Sequence, residues 1–306
     1  SDEKLMWEGY DAIAQTQGAQ RYIRDHSKEN PFFLVLSWGP PHAPYETAPD
    51  RYRELYRARD LYMRPNVPES MNANAREWLA GYYAHCTALD DCMEDLLGTL
   101  WEEGIAEDTI VLFFSDHGDM LGSQGETKKQ RPWEESIRVP FLLSYPGMFG
   151  REGREMDALI DVPDIMPTLL GLCGIPVPET VEGLDFSGYL NGGDNPSDGA
   201  VVLSCPQPFG QFFTAINGRA YRGLRTDRYT YVRTLDGPWL LYDNEEDPFQ
   251  QQNLLVGRNW TELLGELDDW LQRKLDERGD EFLPGMEYIR RWGYPVDARG
   301  TVPYTN

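Results

Sequence analysis

Three residues and one basic cluster in this sequence have the types and placement to do ionic chemistry together. Asp116 and His117 are adjacent in SDHGDMLGSQG, directly after the apolar run TIVLFF. A hard oxygen ligand beside an imidazole at a strand end suits a divalent cation, and Gly118 permits the chain to turn tightly after them. Asp119 has the place of a turn-capping residue rather than a ligand. His42 stands in GPPHAP, after the apolar run PFFLVLSW, with Pro41 and Pro44 restricting the backbone on both sides. An imidazole held in that way can give a hydrogen bond or a proton to a leaving oxygen. Downstream, ETKKQRPWEESIRVP places Lys128, Lys129 and Arg131 together in an otherwise acidic chain. Lysine binds sulfate or phosphate oxygens as a flexible point charge. The remaining histidines read differently: His26 suits the negative end of a helix dipole, and His85 lies in a long helical pattern with a structural role.

Elements must exist to carry these residues. Apolar positions recur at helical spacing over 7–26 and again, over the longest stretch, from 73 to 101, where Gly104 supplies the stop. The runs at 31–38, 109–114 and 139–145 are short and continuously apolar, as expected of strands covered on both faces. Helix alternating with buried strand predicts an α/β fold with a doubly wound, mostly parallel sheet and helices on both faces. Ligands bind such sheets at the carboxyl ends of the strands, which is where His42, Asp116 and His117 fall. A helix at 164–172 and a further core strand at 200–205 follow. After Gln207 the segments FFTAI, AYRGLR, RYTYVR and WLLYD, with turn signals at Asn217-Gly218 and Asp236-Gly237, predict a small antiparallel sheet. An amphipathic helix over 259–278 completes this part. The expected division is an α/β core over 1–207 and a carboxy-terminal subdomain over 208–306.

Composition removes several functions. Acidic residues number 51 against 28 basic ones, a net charge of -23, which repels nucleic acid and anionic membranes. No apolar run approaches the ~18 residues that span a bilayer. A hydrolase of an anionic ester with this charge needs a locally positive site made from metal and a few bases. Cys86, Cys92, Cys173 and Cys205 lack CxxC spacing and read as four reduced core thiols. That leans toward a cytoplasmic setting, and the start SDEKLMWEGYDA has no signal-peptide pattern.

The segment SDHGDMLGSQGETKKQRPWEESIRVP resembles the sulfatase family of the alkaline-phosphatase superfamily. WEGYDAIAQT, PFFLVLSWGPPHAPY, DVPDIMPTLLGLCGIPVPETVEGLDF, LRTDRYTYVR and LYDNEEDPFQQQNLL agree with it in order and spacing. The resemblance implies a sulfuric ester hydrolase in which Asp116 and His117 ligate a divalent cation, calcium first, with magnesium or manganese as alternatives. It implies that His42 contacts the anion and leaving group. It also selects Lys129, four residues before Trp133, over Lys128 as the lysine that grips an anion oxygen. The family's C/S-x-P-S-R segment, whose Cys or Ser matures to formylglycine, and its paired acidic metal ligands do not occur here. The expectation is therefore the carboxy-terminal part of a sulfatase, incomplete at its amino end, inactive alone, and prone to self-association or to pairing with an upstream segment. The substrate implied is a small sulfate ester. A phosphodiesterase or phosphonate monoester hydrolase of the same superfamily, or a non-catalytic homologue, are the competing expectations.

Overall fold

Ala12, Thr16, Ala19 and Ile23 recur every three or four positions, and in the computed structural model this stripe is the buried face of helix α1, Asp11–His26. The structure describes residues 7–26, 30–209, 218–257, 261–298 and 301. These fall into two compact units, Ser1–Lys128 with Arg138–Gly153, and Lys129–Ile137 with Arg154–Asn306. The expected boundary near Gln207 is not where the chain divides.

The first unit is built along helix α2, Asn72–Glu102. Its buried face is rich in alanine, and small side chains let other segments approach closely. Ala84 and Ala88 pack with Ala48 and Tyr52, Leu89 and Cys92 with Ala12 of α1, and Leu100 with Ile23 and Ala106. Full burial of a side chain such as Ile23 or Leu100 stabilises by about 1.5–3 kcal/mol. Gln20 of α1 adds a polar contact, its Nε2 donating to Thr99 Oγ1 at 2.9 Å.

Strand β1, Val111–Phe114, pairs with β2, Phe141–Ser144, and the pairing is antiparallel, with Val111 opposite Ser144 and Phe114 opposite Phe141. Among the described residues every ladder is antiparallel, so the expected mostly parallel pairing is not among them. The physical reason is in the connection. Residues 115–140 hold only one-turn helices, with no crossover helix to return the chain parallel to β1. Residues 31–38 are extended but join no ladder. Phe32 and Leu34 pack into the Ile23 and Leu100 cluster, whereas Phe33 and Val35 are 80% and 73% exposed. One face of this run is covered, not two.

In the second unit β3, Ala200–Cys205, β4, Tyr221–Thr226, β5, Tyr229–Thr234, and β6, Gly237–Asp243, form one sheet in that order. Residues 200–205 thus belong to this antiparallel sheet, not to the α/β core as expected. An apolar run carries no label for its partner, and Ala200 pairs with Thr226 through Cys205 with Tyr221. Helix α3, Ile165–Leu172, lies earlier in the unit. Helix α4, Thr261–Glu277, lays Leu267, Leu271 and Leu275 on Ala200, Leu224, Tyr231 and Leu241 of the sheet. Arg222, buried in β4, donates to Asp280 at 2.5 and 3.0 Å. Burial alone would raise the Asp280 carboxyl, but the Arg222 guanidinium wins and holds it below the usual range. The short helix α5, Gly285–Trp292, follows. The α/β class and the carboxy-terminal sheet and helix match the expectation. FFTAI and Asn217 of the expected turn lie outside the described residues. All four cysteines are free, but only Cys92 and Cys205 are buried; Cys86 and Cys173 are exposed, so the four do not form a set of core thiols.

Two glycines of α2 make opposite predictions. A Cβ on Gly81 would come within 2.3 Å of the Tyr45 carbonyl oxygen, whereas one on Gly98 meets nothing within 4 Å. Gly98→Ala should stabilise by about 0.5–1 kcal/mol, the ordinary helix-interior gain. Gly81→Ala should instead destabilise by about 1–3 kcal/mol, as overpacking does. Denaturant unfolding of both variants decides it; two gains would remove the close approach at Tyr45.

Candidate active site

The turn after residues 31–38 carries His42, and its backbone is held mostly from outside. His42 N donates to Gly39 O at 3.2 Å within the turn, and the Pro40-Pro41 and Ala43-Pro44 bonds are both cis. Pro44 O accepts from His85 Nε2 at 3.3 Å, and His85 Nδ1 lies 2.7 Å from the Tyr10 hydroxyl. A carbonyl only accepts, so the His85 proton sits on Nε2 and Tyr10 donates to Nδ1. Burial pushes the His85 imidazole below its usual pKa, which keeps the neutral form in place.

The second loop leaves β1 at Ser115. Ser115 Oγ donates to His117 O at 2.8 Å, and the His117 amide donates to Asp116 Oδ1 at 3.0 Å. His117 Nδ1 donates to Gly118 O at 2.8 Å, and His42 Nδ1 donates to Ala43 O at the same distance. In each neutral ring the lone pair therefore falls on Nε2, the tautomer that a ligand or base needs. The two rings lie 6.2 Å apart, edge to face. His42, Asp116 and His117 are thus brought together in the first unit, as the shared placement after apolar runs led one to expect.

Can this set hold a cation? His117 Nε2 and Asp116 Oδ2 are 3.6 Å apart, and the Asp116 side chain is 84% exposed. Two donors at metal distances of about 2.0–2.6 Å and a right angle lie about 3–3.7 Å apart, so the pair fits two adjacent corners of one shell. Among the described residues no group of three or more His, Cys, Asp or Glu side chains could hold a metal ion. The pair supplies part of a shell only. Asp119 has its oxygens committed elsewhere: Oδ1 accepts from the Leu121 and Lys128 amides at 3.1 and 3.0 Å, and Oδ2 from the Tyr45 hydroxyl at 2.6 Å.

Lys129 opens the second unit, and the segment 129–137 is tied to that unit's sheet. Glu134 accepts from Arg225 Nε at 2.7 Å, with side-chain exposures of 15% and 16%. The Glu134 amide donates to Gln250 Oε1 at 3.0 Å, and Trp133 Nε1 donates to the Tyr242 hydroxyl at 3.1 Å. Gln250 is fully buried, and its Nε2 donates to Thr230 and Asn244. Sequence reading missed Tyr45, Glu134, Arg225 and Gln250. The EES and DPFQQQNLL segments were visible as part of a resemblance, but nothing in them names a partner about a hundred residues away.

With this geometry in view, the comparisons identify the class: the chain belongs to the sulfatase family. The sulfatase profile matches residues 2–175, and that of N-sulphoglucosamine sulphohydrolase, C-terminal, matches residues 122–277. An ulvan-active sulfatase of Formosa agariphila is 40% identical over 306 residues, covering 99% of this chain and 59% of that protein. The chain therefore spans about three fifths of that relative. The yidJ structure from Bacteroides fragilis superposes with a TM-score of 0.77 at 31% identity, covering 89% of this chain and 59% of that one. Phosphonate monoester hydrolase of Agrobacterium radiobacter shares the fold, with a TM-score of 0.72, 21% identity and coverage of 90% of this chain and 62% of that one. No helix among the described residues is long and apolar enough to cross a membrane.

The Glu134 and Arg225 pair gives a prediction. Arg225→Met removes the guanidinium facing the largely buried Glu134 carboxylate and should destabilise by on the order of 3 kcal/mol. Adding Glu134→Gln should recover most of that loss. A double variant no more stable than Arg225→Met alone, measured by denaturant unfolding, would show that the pair is not coupled.

Proposed function

We propose that this chain supplies the cation-binding and leaving-group half of a sulfuric ester hydrolase site, acting on a small sulfate ester. The observation that carries the reading is the juxtaposition of His42 with the Asp116 and His117 pair, in a chain that belongs to the sulfatase family. Asp116 and His117 Nε2 would hold a divalent cation, calcium first, magnesium or manganese otherwise. When bound, that cation neutralises negative charge on the sulfuryl oxygens.

The remaining roles belong to side chains of this chain. His42, held through Nδ1 by the Ala43 carbonyl, acts as the imidazolium, whose Nε2 proton passes to the ester oxygen as the sulfur–oxygen bond breaks, leaving the neutral ring with its lone pair on Nε2. Neutralising that oxygen lowers the barrier most for alcohols that are poor leaving groups. The Lys129 ammonium grips a sulfuryl oxygen as a point charge, within an acidic protein that otherwise repels the substrate. The nucleophile is not among these residues, since no C/S-x-P-S-R segment occurs. We place it, with the rest of the cation shell, on sequence outside this chain. That the 40% identical relative is an ulvan-active sulfatase supports an ulvan-type sulfate ester as the substrate class. The exposed side chains Phe33 and Val35 are proposed to be covered by an upstream segment, or by a second copy when that segment is absent.

Three outcomes test this reading. In protein containing this chain together with its nucleophile, Lys129→Ala should lower kcat/KM by roughly 10²-fold or more with little change in unfolding midpoint; unchanged kinetics would remove Lys129 from the site. The same protein should prefer aryl sulfate to aryl phosphonate and phosphodiester, and a clear preference for phosphonate would sink the sulfatase reading. The 306-residue chain alone should show no aryl sulfate turnover and weak calcium binding by calorimetry, because two ligands leave most of a six- to eight-oxygen shell to water. Turnover that survives repurification would overturn the assignment of the nucleophile to other sequence.

A further inference from the structure

Neither site loop builds a ladder of its own, yet the His42 and His117 rings stand 6.2 Å apart. Something must fix the distance between the turn at 39–44 and the loop at 115–128. Tyr45 follows the His42 turn and is 8% exposed. Its carbonyl lies against Gly81 of α2, so closely that a Cβ there would be 2.3 Å away. Its hydroxyl donates to Asp119 Oδ2 at 2.6 Å. Asp119 comes two residues after His117, and its other oxygen accepts from the Leu121 and Lys128 amides. Met120 N donates to Lys128 O at 2.8 Å across the same loop base. The carboxylate is therefore immobile at one end of the bond, and the tyrosine backbone is immobile at the other.

We propose that the Tyr45–Asp119 hydrogen bond is a strut that sets the spacing of the two site loops, making Tyr45 and Asp119 positioning residues for proton delivery by His42 to the leaving oxygen. This rests on the proposed sulfatase reading of His42. Neither residue touches substrate; each acts by where it holds another group. A general acid displaced by a fraction of an ångström fails most where the leaving oxygen most needs its proton. The signature of the strut is thus a dependence on the leaving group, which plain destabilisation does not produce.

The experiment compares wild type with Tyr45→Phe, Asp119→Ala and His42→Ala in the protein carrying this chain with its nucleophile, loaded with calcium. Two esters are used, p-nitrophenyl sulfate, with a good leaving group, and an alkyl or sugar sulfate, with a poor one. Tyr45→Phe is expected to lower kcat on the alkyl or sugar sulfate about tenfold with KM unchanged, and to change p-nitrophenyl sulfate turnover less than about twofold. Asp119→Ala should show the same pattern from the other end of the bond, which keeps the inference readable if one variant fails to fold. Asp119→Asn keeps an oxygen for the two amides and an NH2 that can donate to the Tyr45 oxygen, so it should restore the wild-type ratio between the two esters. Equal fractional losses on both esters for Tyr45→Phe and Asp119→Ala would overturn the strut. His42→Ala without leaving-group dependence would overturn the role given to His42, and wild type that hydrolyses neither ester would overturn the proposed function itself; each takes the inference with it.

Discussion

A turn without a ladder cannot hold its own shape, because its backbone polar groups and its side chains must be fixed by something else. The His42 turn meets this constraint by resting on α2. Gly81 lets the Tyr45 backbone come into contact, and His85, one helical turn further along, donates to Pro44. Both positions face the same side of the helix, since residues four apart stack on one face. A larger side chain at the first would lift the turn away. A charged imidazole at the second would be costly in its buried setting, and burial already biases His85 toward the neutral form. The position of His42 is in this sense a property of α2, which shares its buried face with α1 as well.

The second unit solves the same problem with charge. Residues 129–137 form a loop and a single helical turn, Glu134–Ile137, too short to be stable alone. The Arg225 pair, the Gln250 acceptor and the Tyr242 hydroxyl hold the segment to its sheet. Gln250 takes a positive φ of 53 and has its amide oxygen and nitrogen both engaged. A polar residue this deeply buried is tolerable because its bonding capacity is filled. The carboxy-terminal sheet is thus what gives the Lys129 segment its shape.

What could be read from sequence was what repeats locally. Helices α1, α2, α3 and α4 were legible because their apolar stripes recur at the helical period over at least two turns. His42, Asp116 and His117 were legible as neighbours because each follows an apolar run, and strand ends collect ligands. Pairing was not legible. TIVLFF and AVVLSC look alike, yet Val111–Phe114 joins a two-stranded ladder and Ala200–Cys205 the carboxy-terminal sheet. Nor were the supports of the site. Tyr45 and Asp119 are 74 residues apart, Glu134 and Arg225 are 91 apart, and Glu134 and Gln250 are 116 apart. No local pattern encodes a bond between such positions.

The run PFFLVLSW shows where sequence and packing part company in a useful way. A strand with one face in water reads as alternation, whereas this run is apolar at nearly every position, the pattern of a strand buried on both sides. In the structure Phe32, Leu34 and Trp38 pack into core clusters, whereas Phe33 and Val35 lie open, as does Leu142 of β2. Burying a side chain of this kind stabilises by about 1.5–3 kcal/mol, so three of them together amount to several kcal/mol not realised among the described residues. Large apolar side chains at solvent-facing positions gain nothing from burial and leave apolar area open to association. The composition of the run therefore carries information that packing among the described residues does not use. The same run leads into the His42 turn, so whatever covers Phe33 and Val35 bears directly on the element that delivers the proposed acid.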